Sequence, residues 1–270
     1  MSSIRFNITL FSISFLLACE GKKPTTTLII KDSISVKKPG TKTVFDSTKR
    51  YIYLTWDDGP QPGTISSKRI FEQEKVKATF FVIGLHINDA KKRLLIDSLK
   101  KSYPQFLVAN HSHSHGFRNH YKQFYTQVDS AVADFLKVQK AINIPVPIIR
   151  LPGNNSWAVK NIQKGPKLTT EVYKRLDSLG FDVVGWDLEW QFKRGDIPIQ
   201  TAEEMAEKVA SYFNKNETTI PKHLVILAHD RMFAKPNYAD SLRKFIQLVQ
   251  KDKRNIFETI DHYPLLKSTK

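Results

Sequence analysis

The sequence predicts an α/β protein: a mainly parallel sheet covered by helices, closed as a barrel or open and doubly wound. Three observations carry this. Short β-rich runs alternate with longer stretches of helical apolar spacing. The 270 residues, 41% hydrophobic and 11% aromatic, suffice for one substantial core. No internal repeat or second domain stands out, so one domain is expected.

The elements follow in order. Tyr51–Trp56 is an apolar run that stops at Asp57-Asp58-Gly59-Pro60, where Gly59 and Pro60 make the turn sharp. Ala78–Ile83 is the second strand and Ala90–Ser102 a helix; Phe106–Ala109 is the third strand and Tyr121–Asn143 a helix. Pro147–Arg150, Asp182–Trp186 and Leu224–Leu227 complete the strands, with helices at Thr170–Leu179, Thr201–Asn214 and Tyr238–Lys251. Strand and helix alternate as βα units, which makes neighbouring strands parallel.

The first residues stand outside this domain. Arg5 precedes the apolar run Ile8 to Leu17, too short to span a bilayer, and Leu16-Leu17-Ala18-Cys19 resembles the lipobox of bacterial lipoproteins. The expected organisation is a signal peptide over 1–18, a lipid-anchored linker over 19–47 and a domain over 48–266. Cys19 is the only cysteine, so no disulfide can form within the chain, and its position suits lipidation. The expected location is the membrane surface of the bacterial envelope.

Lys and Arg number 42 against 26 Asp and Glu, a net charge of +16, and only Arg5 leaves with residues 1–18. A basic mature chain suits anionic partners in general. The basic residues are scattered on polar helix faces without a nucleic-acid motif, so no nucleic-acid partner is expected. A monomer is expected.

In such folds active sites form where the carboxyl ends of strands converge. Titratable residues fall at five of these ends: Asp57 and Asp58, His111 and His115, Arg150, Asp187 and Glu189, and His229. Adjacent carboxylates repel unless their work is divided, which suggests one Asp on a cation and the other handling protons. If His111-Ser112-His113-Ser114-His115 turns helically, His111 and His115 share a face suited to one metal ion, with Asp58 the natural third ligand.

These motifs, Thr55-Trp56-Asp57-Asp58-Gly59, His111 to His115, Arg150-Leu151-Pro152-Gly153, Asp187-Leu188-Glu189-Trp190 and Leu227-Ala228-His229, resemble the five ordered motifs of polysaccharide deacetylases of carbohydrate esterase family 4, the NodB-homology domain. The resemblance runs from about Arg50 to Leu266. It implies a distorted (β/α) barrel with fewer than eight complete units and a divalent metal, zinc foremost, on Asp58, His111 and His115. It also implies Asp57 as general base paired with Arg150, and His229 as general acid oriented by Asp187 or Glu189. Trp190 is expected to line the sugar pocket. The third motif lacks its usual aromatic residue, leaving Gly153 as first candidate for the backbone N–H facing an oxyanion. The implied activity is metal-dependent removal of N-acetyl groups from an envelope polysaccharide such as peptidoglycan. The alternatives are an O-acetyl xylan esterase and a glycan-binding lipoprotein without turnover.

Overall fold

β1 (Arg50–Gly59) is the strand around which the sheet is arranged. One edge pairs in parallel with β11 (His223–His229). The other pairs with β12 (Asn255–Phe257) at its start and β2 (Ala78–Val82) at its end. From β2 the sheet continues through β3 (Phe106–Asn110), β4 (Ile148–Ile149), β7 (Asp182–Val183), β5 (Trp157–Val159) and β6 (Ile162–Lys164). Beyond β11 lies β8 (Leu188–Glu189). Among the described residues β5 alone runs against the direction of this sheet, antiparallel to both β6 and β7. β6 and β8 do not pair with each other, so the sheet curls without closing, as expected of a distorted barrel. This computed structural model describes residues 44–267, all within one compact unit. The expected signal peptide, Cys19 and most of the expected linker lie outside the described residues. No helix among the described residues is long and apolar enough to cross a membrane.

The period of two along β1 sorts its side chains. Ile52, Leu54 and Trp56 pack outward with Phe71 of α1 (Pro62–Gln73), Leu99 of α2 (Ala90–Lys101), Met205 of α7 (Ala202–Lys215) and Phe245 of α8 (Pro236–Val249). Tyr51 and Tyr53 point inward with Phe81, Leu107, Trp157, Val225 and Tyr263. A third cluster joins α4 (Tyr121–Thr126), α5 (Val128–Ala141) and α6 (Thr170–Ser178) to Ile149, Leu151 and Val183.

Several elements differ from expectation for identifiable reasons. α1 is invisible to apolar periodicity because the first half of its buried face is Gly63, Thr64 and Ser67. The single helix expected over Tyr121–Asn143 is two, divided at Gln127, whose ψ of 70° is not helical. Pro147–Arg150 and Asp182–Trp186 each shrink to a two-residue strand. The hairpin of β9 (Phe192–Lys193) and β10 (Ile197–Pro198) and the β5–β6 pair are too short to show a period.

At the amino-terminal end of the barrel His223 stacks on Tyr51, ring centres 5.1 Å apart, with its Nδ1 2.8 Å from the Tyr53 hydroxyl. Burial pushes the His223 pKa from 6.5 down to about 4. The folded state therefore resists a proton that the unfolded chain accepts. The stability this represents is complete above the unfolded value and is lost as pH falls from 6.5 toward about 4. The thermal midpoint should drop across that window, and His223→Gln should flatten this part of the profile in a pH series of melting curves.

Candidate active site

In a regular strand Asp57 and Asp58 would face opposite sides of the sheet. Here the register with β2 shifts between Asp57 and Gly59, and Asp58 takes φ +74°. This bulge turns the second carboxylate to the same side as the first. Both then face one imidazole: His111 Nε2 lies 3.7 Å from Asp57 Oδ2 and 3.5 Å from Asp58 Oδ1.

Asp58, His111 and His115 bring one ligand atom each to within 4.8 Å of one another. His111 Nδ1 is 2.9 Å from the Arg150 carbonyl, which can only accept, so the proton sits on Nδ1 and Nε2 is bare. His115 Nδ1 donates likewise to Asn119 Oδ1 at 2.6 Å, and the Tyr121 hydroxyl donates to that same oxygen at 2.9 Å. Asp58 Oδ1 is buried without a hydrogen-bond partner, 3.1 Å from His115 Nε2. Three lone pairs converging with no proton between them fit a divalent cation. Burial works against charge on His111, yet Asp57 and Asp58 raise its pKa above the ordinary value. Burial also opposes the Asp58 carboxylate, and the two imidazoles more than offset it, holding its pKa well below normal. The Asp58 Oδ2 atom is ion-paired to Arg231, whose guanidinium lies over the Phe192 ring.

The imidazoles do not converge through the helical turn expected between them. Ser112 has φ +68°, and His115, Gly116, Phe117, Arg118 and Asn119 have φ of 53°, 62°, 54°, 55° and 71°. His115–Asn119 (α3) is thus a left-handed turn, which costs roughly 1–2 kcal/mol at each non-glycine residue. Hydrogen bonds fix it: Asp134 Oδ1 accepts from His113 N and Ser114 N at 2.9 and 3.0 Å, and Ser114 Oγ accepts from Phe117 N at 2.9 Å. The turn carries Asn119 back onto His115.

Arg150 is fully buried beneath Asp57. Its Nη1 donates to Asp57 Oδ1 at 3.0 Å and Thr55 Oγ1 at 2.6 Å, and its Nη2 to the Gly185 carbonyl at 2.8 Å. His229 is the β11 partner of Asp57 in register, so the two side chains are neighbours. Burial lowers the His229 pKa, against Asp58 and Asp57. Its Nδ1 is buried without a hydrogen-bond partner, and the Phe192 ring stands edge-on to it at 4.9 Å.

Two expectations are corrected here. Neither fourth-motif carboxylate hydrogen-bonds His229. Asp187 is instead a clamp, its two oxygens accepting from Thr219 N at 2.7 Å and Val225 N at 2.8 Å. Glu189 is half-buried near Asp57 and Arg150, its pKa raised by burial and by Asp57. Trp190 lines no sugar pocket: it is 0% exposed, packs on Phe233 and Phe245, and donates to the Gln200 carbonyl at 2.9 Å. Gly153 is exposed with φ +65°, and a Cβ there would meet the Tyr121 ring at 2.7 Å. Tyr121, whose ring centre is 5.8 Å from that of His115, thus brings from α4 the aromatic surface that the third motif lacks.

The family model for polysaccharide deacetylases matches residues 46–160, which hold Asp57, Asp58, His111, His115 and Arg150. That stretch of the chain is similar to polysaccharide deacetylases. It is 24% identical over 307 residues to the chitin disaccharide deacetylase of Vibrio alginolyticus, covering 80% of this chain and 72% of that protein. It is also 24% identical over 184 residues to the peptidoglycan-N-acetylglucosamine deacetylase of Bacillus cereus, covering 65% of this chain and 60% of that protein. The fold matches the catalytic domain of the peptidoglycan N-acetylglucosamine deacetylase from Eubacterium rectale, with TM-score 0.59 and 23% identity over 84% of this chain and 96% of that one.

Four residues of the candidate site escaped sequence reasoning: His86, Asn119, Tyr121 and Arg231. His86 donates from Nδ1 to the Asp58 carbonyl at 2.7 Å. It follows β2, the strand whose carboxyl end had no candidate, so the strand-end rule could have found it. The other three had no signal beyond proximity to a site residue in sequence.

Asn119→Ala should weaken divalent-metal binding about 10-fold or more by freeing the His115 ring, measured by competition with a chromophoric chelator. Asp187→Ala should cost about 1–3 kcal/mol in urea unfolding by orphaning two backbone donors, with metal affinity unchanged.

Proposed function

We propose that this domain is a metal-dependent hydrolase that removes N-acetyl groups from N-acetylglucosamine residues of an envelope polysaccharide, with peptidoglycan the first candidate. The observation that carries the reading is the division of labour at the end of β1: Asp58 is turned toward two bare Nε2 atoms, while Asp57 is held by Arg150. A divalent cation on Asp58, His111 and His115, zinc foremost, would polarise an acetyl carbonyl and acidify a water molecule.

The side chains account for the proton traffic. Asp57 takes the proton from the attacking water, and Arg150 keeps that carboxylate aimed through a charge-assisted hydrogen bond. An amine leaves only when protonated. His229, the neighbour of Asp57 across the β1–β11 pair, donates that proton. Asp230 follows His229 and is fully buried, and burial raises its pKa well above normal. Glu189 shares the field of Asp57 and Arg150 without hydrogen-bonding His229. The N–H of Gly153 is the first candidate donor to the oxyanion, and the Tyr121 ring is a surface for the apolar face of the sugar.

The envelope location rests on the proposed signal peptide over 1–18, lipidation of Cys19 and a tether over 19–47. The peptidoglycan assignment is supported by the relative from Bacillus cereus, which carries that activity in its name.

Residues 20–270 loaded with zinc should release acetate from N-acetylglucosamine oligomers or isolated peptidoglycan, and chelation should stop it. Asp57→Asn should lower the rate about 10²–10⁴-fold while metal binding persists. Release from acetylated xylan alone would replace the amidase reading with that of an O-acetyl esterase. Fatty-acid labelling in cells should mark the full-length protein and not Cys19→Ser.

A further inference from the structure

A cleft of about 490 Å³ shares the His115 wall with the triad, and Leu85, His86, Asn88, Arg118 and Asn119 line it as well. It offers what a sugar ring takes. Leu85 is 38% exposed and presents an apolar face, Asn88 an amide, and His86 a ring whose Nδ1 is committed to the Asp58 carbonyl, leaving Nε2 free. No carboxylate lines the cleft.

Arg118 sets its charge. This residue is exposed, and its guanidinium makes no ion pair or side-chain hydrogen bond among the described residues. Its backbone is fixed, because Arg118 N donates to the Ser114 carbonyl at 2.8 Å within the left-handed turn. A strained turn held by half-buried hydrogen bonds and presenting an unpaired cation beside a reaction centre is a feature of function rather than of folding. An exposed arginine elsewhere on this basic surface would carry no such argument.

We propose that this cleft binds the sugar next to the one being deacetylated, and that Arg118 pairs with a carboxylate on that sugar. The inference rests on the deacetylase reading above and names its substrate as an acidic glycan. A guanidinium recognises a carboxylate through a charge-assisted fork. Two kinds of sugar supply one beside N-acetylglucosamine: a uronic acid, or a hexosamine carrying a lactyl ether.

The test uses the zinc-loaded protein and three tetrasaccharides. One is all N-acetylglucosamine, one alternates it with glucuronic acid, and one alternates it with N-acetylmuramic acid bearing a free lactyl carboxylate. Calorimetry should show one acidic ligand binding at least ten-fold more tightly than the neutral one, and which one it is names the source. Arg118→Gln should bring the acidic-to-neutral ratio close to one, and Arg118→Lys should keep part of it. Equal affinity for all three ligands, or an Arg118→Gln variant that weakens acidic and neutral ligands by the same factor, would overturn the subsite. Acetate release is followed in parallel. Acidic preference without release from any ligand would sink the catalytic reading and keep the subsite, whereas release without preference would do the reverse.

Discussion

A single buried guanidinium holds the site together. Arg150 is 0% exposed, and its donors go to Asp57, Thr55 and the carbonyls of Gly185 and Val184, tying the end of β4 to β1 and to the segment after β7. Its backbone carbonyl fixes the tautomer of His111. One residue thus aims the base through its side chain and a metal-ligand candidate through its main chain. A buried charge of this kind is tolerable only when its partners stay in place, so removing any one of them would be costly. The Phe81 ring, 4.4 Å from the guanidinium carbon, closes the remaining face.

The electrostatics follow from that frame. Asp57 and Asp58 lie against one imidazole, and each has a separate cation, Arg150 for the first and Arg231 for the second. Phe192, on the β9–β10 hairpin, touches both Arg231 and His229. A ring stands where a carboxylate was expected to orient the histidine. Aromatic packing can fix the position of His229 without adding a negative charge that would retain its proton.

The strand ends were legible because chemistry and topology coincide there. Runs such as Tyr51–Trp56 and Leu224–Leu227 are apolar enough to be read as strands, and the residues that follow them inherit a common face. Asp57, Asp58, His111, His115, Arg150 and His229 were found in this way. Trp190 and Asp187 were misread because adjacency in sequence says nothing about which way a side chain turns in a two-residue strand. The left-handed turn was beyond reach for a different reason. Gly116 and Asn119 in it tolerate positive φ but Phe117 and Arg118 do not, and the acceptor that holds it, Asp134, lies on another helix. The same holds for Tyr121, whose contact with Gly153 joins residues far apart in the chain. Residues 1–43 lie outside the described structure, so the reading of Cys19 stands on sequence alone.

The bulge at Asp58 has a consequence for how such a site can change over time. Without that shift in register, residue 58 would follow Trp56 onto the helix-packed side of β1, where a carboxylate would be buried without a partner. With the bulge but an apolar residue at 58, the strand would end in an irregularity that serves nothing. Neither half is useful alone, so backbone irregularity and second carboxylate form a coupled pair. A lineage that loses turnover should therefore shed His115 or His229 singly long before it straightens β1, and the irregular strand end would outlast the activity it was built for.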